Sequence, residues 1–119
     1  MKTKKDKWQR YGMVIGVRAN KLAEYKRLHQ AVWPDVVKMI KECKIRNYSI
    51  YLHRTGENSY CLFSYFEYTG KNFKADMARM AADRVTQEWW SHCIPCQKPV
   101  KYRAKDEWWA NLEEVWHMD

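Results

Sequence analysis

The spacing of hydrophobic positions changes along this chain, and each change marks a predicted element. Residues 11–18 are rich in Val, Ile and aromatic side chains and read as a strand, in which Gly12 and Gly16 leave room for close backbone approach. Leu22, Tyr25, Leu28, His29 and Val32 then form a helical stripe, with Asn20 as its predicted N-cap. Pro34 has no amide hydrogen and biases Trp33 away from helical geometry, so the helix is expected to break there and a second to begin with Pro34 in its first turn. In residues 46–52, Tyr48, Ile50 and Leu52 alternate with Asn47, Ser49 and Tyr51, as in a strand with two unlike faces. Gly56 and Asn58 mark a turn, after which residues 60–68 (YCLFSYFEY) are expected to pair back as a hairpin. Phe73, Met77, Met80 and Ala81 predict a helix over 72–82, and residues 86–92 add another helical turn or two before Pro95. The basic stretch 93–105 reads as a loop and residues 111–118 as the last strand.

Strand, helix, hairpin, helix, strand is the order of an α+β ferredoxin-like sandwich, an antiparallel sheet with helices on one face. The other face carries aromatics from the Tyr48 and Tyr60 strands, so a ligand or a second subunit is expected to cover it. A length of 119 residues suits one domain, here expected over 11–119. Lys and Arg exceed Asp and Glu, 22 against 14, but Lys2, Lys4, Lys5, Lys7 and Arg10 fall in residues 1–10. That clustering reads as a flexible, solvated basic arm rather than a nucleic-acid surface. No apolar run approaches the roughly 20 residues of a membrane span, and the N-terminus lacks a signal-peptide core, so a soluble cytoplasmic protein is expected. Its four cysteines, Cys43, Cys61, Cys93 and Cys96, are then expected to be reduced thiols.

Tyr25, His29 and Trp33 are spaced by four and would share one face of an unbroken helix. A phenol, an imidazole and an indole in one row suit a sugar: aromatic planes meet the C–H faces of a pyranose, and histidine as a residue type titrates near neutral pH. The same row also fits plain inward packing. Adjacent Trp89 and Trp90 point about 100 degrees apart on a helix, so one can meet a ligand while the other packs. Trp108, Trp109 and Trp116 are assigned to packing. Cys93-Ile-Pro-Cys96 has the spacing of a redox dithiol or half a zinc site, but it follows a helix instead of opening one and lacks a second ligand pair; no metal role is expected. An RNA-binding module shares the predicted element order, but its sheet motif of a basic residue and Gly before Phe/Tyr-Gly/Ala-Phe is absent from YCLFSYFEY.

EYKRLHQAVWP, NYSIYL, EWW and the terminal LEEVWHM together resemble the L-rhamnose mutarotase family, from about Tyr11 to the C-terminus. The resemblance implies a small cytoplasmic enzyme with a ferredoxin-like fold assembled as a dimeric α/β barrel. Such an enzyme interconverts the anomers of L-rhamnose without metal or organic cofactor. It places the proton donor at His29 and substrate-binding groups at Tyr25, Tyr48, Trp89 and Trp90. The partners implied are a small sugar and a second copy of the chain, with no nucleic acid and no membrane. L-fucose is the nearest alternative substrate, and a non-catalytic dimeric barrel the alternative of another class. The basic arm and, in the loop after Trp90, CIPC and KPVKYRAKDEWW depart from the family pattern.

Overall fold

The computed structural model describes residues 8–119; the basic arm expected over 1–10 lies outside the described residues except for its last three positions. Two of those, Gln9 and Arg10, already belong to the first strand, β1 (Gln9–Val17). The other elements are α1 (Leu22–His29), α2 (Pro34–Glu42), β2 (Ile45–Gly56), β3 (Ser59–Tyr68), α3 (Phe73–Ala82), α4 (Arg84–Cys93), β4 (Gln97–Lys98) and β5 (Ala110–Leu112). Every strand pairing is antiparallel, in the order β2-β3-β1, with β4 and β5 sharing the far edge of β1. Among the described residues no helix is long and apolar enough to cross a membrane.

Alternation decides which strand residues enter the core. Along β3, Leu62, Ser64, Phe66 and Tyr68 are buried while Phe63, Tyr65 and Glu67 are half-buried on the opposite face. Their partners in β1 follow: Ile15 lies opposite Leu62 and Tyr11 opposite Phe66. The helices cover that face in two clusters. One joins Ile15, Val17 and Leu62 to Tyr25, Val36, Trp89, Cys93 and Cys96. The other joins Ile45 and Phe66 to Cys43 and Met80, and Ile40 and Trp90 pack against both.

Strand β2 runs longer than the alternation predicts and contains a bulge. Its pairing passes from Arg46 opposite Glu67 to Ser49 opposite Tyr65, one extra residue in β2, with Asn47 at a left-handed φ of 52°. Asparagine tolerates that conformation better than most residues. The extra residue lets Ile45 and Ile50 both face the helices although five positions apart, which strict alternation forbids.

Other boundaries also moved. Asn20 lies inside a short 3-10 turn, Ala19–Lys21, and caps nothing; Lys21 precedes α1 without a side-chain cap. The break at Pro34 stands as expected, with Trp33 extended (φ −59°, ψ 132°) and Pro34 opening α2. The turn or two expected over 86–92 is a ten-residue helix, because Asp83 caps it: its carboxylate accepts from the Thr86 amide at 2.9 Å and the Thr86 hydroxyl at 2.7 Å. Within the expected loop 93–105, the chain turns through Ile94–Cys96 and pairs as β4. Gly16 permits this, since a Cβ there would stand 2.5 Å from the Lys98 carbonyl oxygen. Gly12 meets nothing so close: its nearest contact would be Leu112 at 3.6 Å. The strand expected over 111–118 shrinks to Ala110–Leu112, whose partners in β1 are Gly12–Val14. Trp116, assigned to packing by the sequence, is 74 % exposed on the unpaired continuation.

Candidate active site

Helix α1 brings two of the three residues of the row into contact. Tyr25 and His29 stack with ring centroids 4.2 Å apart, and the His29 imidazole meets Trp89 of α4 edge-to-face at 5.3 Å. Trp33 leaves the row because α1 ends at His29; it turns instead against Trp89 at 5.2 Å and His92 at 5.6 Å. The imidazole is tethered through Nδ1, 2.9 Å from the Tyr25 carbonyl oxygen. A carbonyl can only accept, so Nδ1 carries the hydrogen in either protonation state and Nε2 is the nitrogen left to exchange a proton.

Tyr25 is 5 % exposed and is buried in one cluster with Cys93 and Cys96. Burial raises its pKa strongly, the neighbouring thiols and Tyr48 add to this, and Gln97 pulls the other way. Tyr48, beside the bulge of β2, sets its ring against Phe66 with centroids 5.4 Å apart. Although 42 % of the residue is exposed, its hydroxyl is desolvated, and burial together with Cys93 pushes its pKa up to about 12. Burial also pushes the Cys93 thiol up to about 12. All three groups are therefore neutral hydrogen-bonding or packing groups near neutral pH. Cys93 and Cys96 are buried free thiols, and among the described residues no group of three or more His, Cys, Asp or Glu side chains could hold a metal ion.

A cleft of about 210 Å³ opens beside this cluster, lined by Tyr25, Lys26, His29 and Gln30 of α1 and by Ile50, Tyr51, Leu52 and Leu62 of the sheet. It is smaller than the roughly 300–1,000 Å³ of drug-sized sites, as suits a small ligand. One wall is apolar, and the other offers an imidazole, an amine and an amide. Trp89 and Trp90 do not line it: Trp89 is 5 % exposed behind His29, and Trp90 is half-buried where the two clusters meet. The structure thus unites Tyr25, His29 and Trp89, while Tyr48 packs on Phe66 and Trp90 sits between the two clusters. Lys26, Gln30, Ile50 and Leu52 escaped the sequence reading. Each had a signal, since Lys26 and Gln30 follow Tyr25 and His29 with the same spacing of four, and Ile50 and Leu52 alternate with Tyr48.

An antiparallel sheet with helices on one face, and a tethered imidazole set among aromatic rings beside a small cleft, define a mixed α/β protein equipped for proton transfer on a small molecule. The sequence profile of the L-rhamnose mutarotase family matches residues 10–118, and the chain belongs to that family. It is 31 % identical over 111 residues to the L-rhamnose mutarotase of Oceanobacillus iheyensis, covering 93 % of this chain and 99 % of that one. It is 32 % identical over 116 residues to that of Opitutus terrae, covering 92 % and 98 %. The crystal structure of an L-rhamnose mutarotase from Formosa agariphila superposes with a TM-score of 0.68 at 20 % identity, covering 93 % of this chain and 99 % of that chain, which is a likeness of fold.

Proposed function

We propose that this protein interconverts the α and β anomers of L-rhamnose, with His29 as the group that delivers and recovers the proton. The carrying observation is the tether of Nδ1 to the Tyr25 carbonyl at 2.9 Å, which reserves Nε2 for exchange. In the reaction, protonation of the ring oxygen and loss of the anomeric hydroxyl proton open the hemiacetal to an aldehyde and an alcohol. Rotation about the bond to the carbonyl carbon and reversal of both transfers close the other anomer. Acid/base catalysis of this kind supplies about a hundredfold to ten-thousandfold. Neutral Tyr25 and Tyr48 are read as the hydrogen-bonding substrate groups, and Trp89 as support for the imidazole. The family's named relatives favour L-rhamnose over L-fucose.

We further read the strand order as ferredoxin-like and residues 11–119 as one mutarotase-like domain, cytoplasmic and paired as a homodimer in a dimeric α/β barrel. Support for the pairing is the apolar surface left outside the fold: Val115 and Met118 are exposed beyond β5, next to Trp116, and Tyr51 stands open opposite Phe63. The test is NMR measurement of anomer exchange for L-rhamnose and L-fucose with the wild-type protein and His29→Ala, beside sedimentation at micromolar concentration. Equal exchange by a well-folded His29→Ala protein defeats the catalytic assignment. A monomer throughout defeats the homodimer.

A further inference from the structure

The row of β3 that faces the helices runs Leu62, Ser64, Phe66, Tyr68, and a short hydroxyl interrupts its apolar part. Ser64 is 6 % exposed, and Thr86 and Gln97 are the other buried polar side chains among the described residues. Both of those have partners: the Thr86 hydroxyl donates to Asp83 at 2.7 Å, and Gln97 Oε1 accepts from the Trp108 indole at 2.7 Å. Ser64 has no side-chain hydrogen bond among the described residues, although buried hydroxyls are ordinarily paired. Nor is its oxygen sealed, since among those residues the side-chain polar atom that is both sealed and unpaired is the Trp8 indole nitrogen. The hydroxyl therefore opens onto space within the covered face.

Sheet register says where that space lies. Ser64 pairs with Ile50 of β2 on one side and Met13 of β1 on the other. Opposed side chains of an antiparallel pair stand about 5 Å apart, and next-but-one residues of one strand about 7 Å. Its neighbours by those two rules, Ile50 and Leu62, both line the cleft beside His29. Phe66, the next inward residue, carries the Tyr48 ring at 5.4 Å. Ser64 thus occupies the sheet floor between the cleft and Tyr48. It also falls between the two apolar clusters, since Leu62 belongs to one, Phe66 to the other and Ser64 to neither. An unpaired hydroxyl in such a place weakens the fold relative to alanine. A ligand that supplies the missing partner accounts for it.

We propose that Ser64 is a substrate-binding residue that sets specificity, its hydroxyl sharing a hydrogen bond with one ring hydroxyl of the sugar; the inference rests on the mutarotase reading above. A serine hydroxyl both donates and accepts, so it pairs with a sugar hydroxyl in either sense. Leu62, Ile50 and Phe66 around it offer only apolar surface to C–H groups. Ser64 then marks the place on this floor where a hydroxyl is required, because a sugar that lacks it leaves the serine unpaired.

Ser64→Ala removes one oxygen and little volume. KM for L-rhamnose is expected to rise about threefold to tenfold with kcat within about twofold, because a floor contact away from the transferred protons holds ground state and transition state alike. The thermal midpoint is expected to equal or exceed the parent's, since the variant no longer buries an unpaired hydroxyl. The contact itself is read from the three analogues of L-rhamnose that each lack one non-anomeric ring hydroxyl, measured as competitors of anomer exchange with both proteins. One of them is expected to bind the parent about threefold to tenfold more weakly than L-rhamnose does, and to bind Ser64→Ala as well as L-rhamnose does. An unchanged KM in Ser64→Ala overturns the proposal. So does a panel in which every analogue loses the same factor on both proteins, which would leave Ser64 a packing residue whatever its effect on the melt. A parent protein that exchanges no L-rhamnose anomers overturns the mutarotase reading and this proposal with it, whereas an active parent matched by Ser64→Ala overturns the role of Ser64 alone.

Discussion

The two faces of the sheet are built from the same strands and have opposite fates. On the helix-covered face Leu62 is buried beneath Tyr25, Trp89 and Cys93, and Phe66 is buried with Cys43 and Met80. On the other face Phe63 and Tyr65 lie opposite Val14 and Gly12, with Tyr51 at their side, and among the described residues no helix covers them. Burial by the chain's own helices makes a site, because it fixes side chains and strips water from hydroxyls. Aromatic content alone makes only a surface, whose occupant has to come from outside.

The largest effect on this contrast is expected from His29→Ala. It should lower anomer exchange by about a hundredfold or more, with an unchanged circular dichroism spectrum. Trp89→Ala on the covered face should cost about 3–5 kcal/mol of stability, seen as a large drop in the thermal midpoint, because a buried indole leaves a cavity. Trp116→Ala, the matching deletion on the exposed segment, tests the other half of the comparison below.

The covered face should also weaken in alkali. Tyr48 and Cys93 both have folded pKa values raised to about 12, so each binds its proton more tightly folded than unfolded. The stability they lend is complete below their unfolded pKa values, roughly 8.5 for Cys and 10 for Tyr. It is lost as pH rises from there toward 12, and denaturant midpoints should fall across that window. Midpoints flat to pH 11 would show these groups in contact with water.

Tyr48→Phe keeps the ring against Phe66 and deletes only the hydroxyl. Exchange should fall by about 1–3 kcal/mol of transition-state stabilisation while the melt changes little. A low melt with full activity per folded molecule would make Tyr48 a packing residue. The smallest effect belongs to Trp116→Ala, within about 0.5 kcal/mol for the single chain, as for other exposed positions. If a second copy covers this segment, the same change should weaken association measured by sedimentation.

Much of the framework was legible. The spacing of Tyr25 and His29 gave their contact, and Pro34 gave the break that sends Trp33 elsewhere, because both are local consequences of backbone geometry. Asp83 and Thr86, three apart, held a readable cap that would have lengthened α4. Of the residues that the family motifs point to, the fold brings Tyr25, His29 and Trp89 into contact. Gln97 and Trp108 could not be read, since their bond closes a loop that only tertiary structure folds back. The shortening of β5 was equally hidden: alternation shows that a segment can be a strand, not how much partner strand it will find.

The bulge at Asn47 divides β2 into two reading frames, odd numbers facing inward before it and even numbers after it. Substitution and deletion at this one position therefore belong to different orders of damage. Asn47→Ala keeps the count and has to bear only a left-handed backbone, about 1 kcal/mol. Loss of the residue merges the frames, and either Ile45 or the whole set of Tyr48, Ile50 and Leu52 must turn outward, carrying one wall of the cleft with it. For such a strand the number of residues is inherited more strictly than their identity.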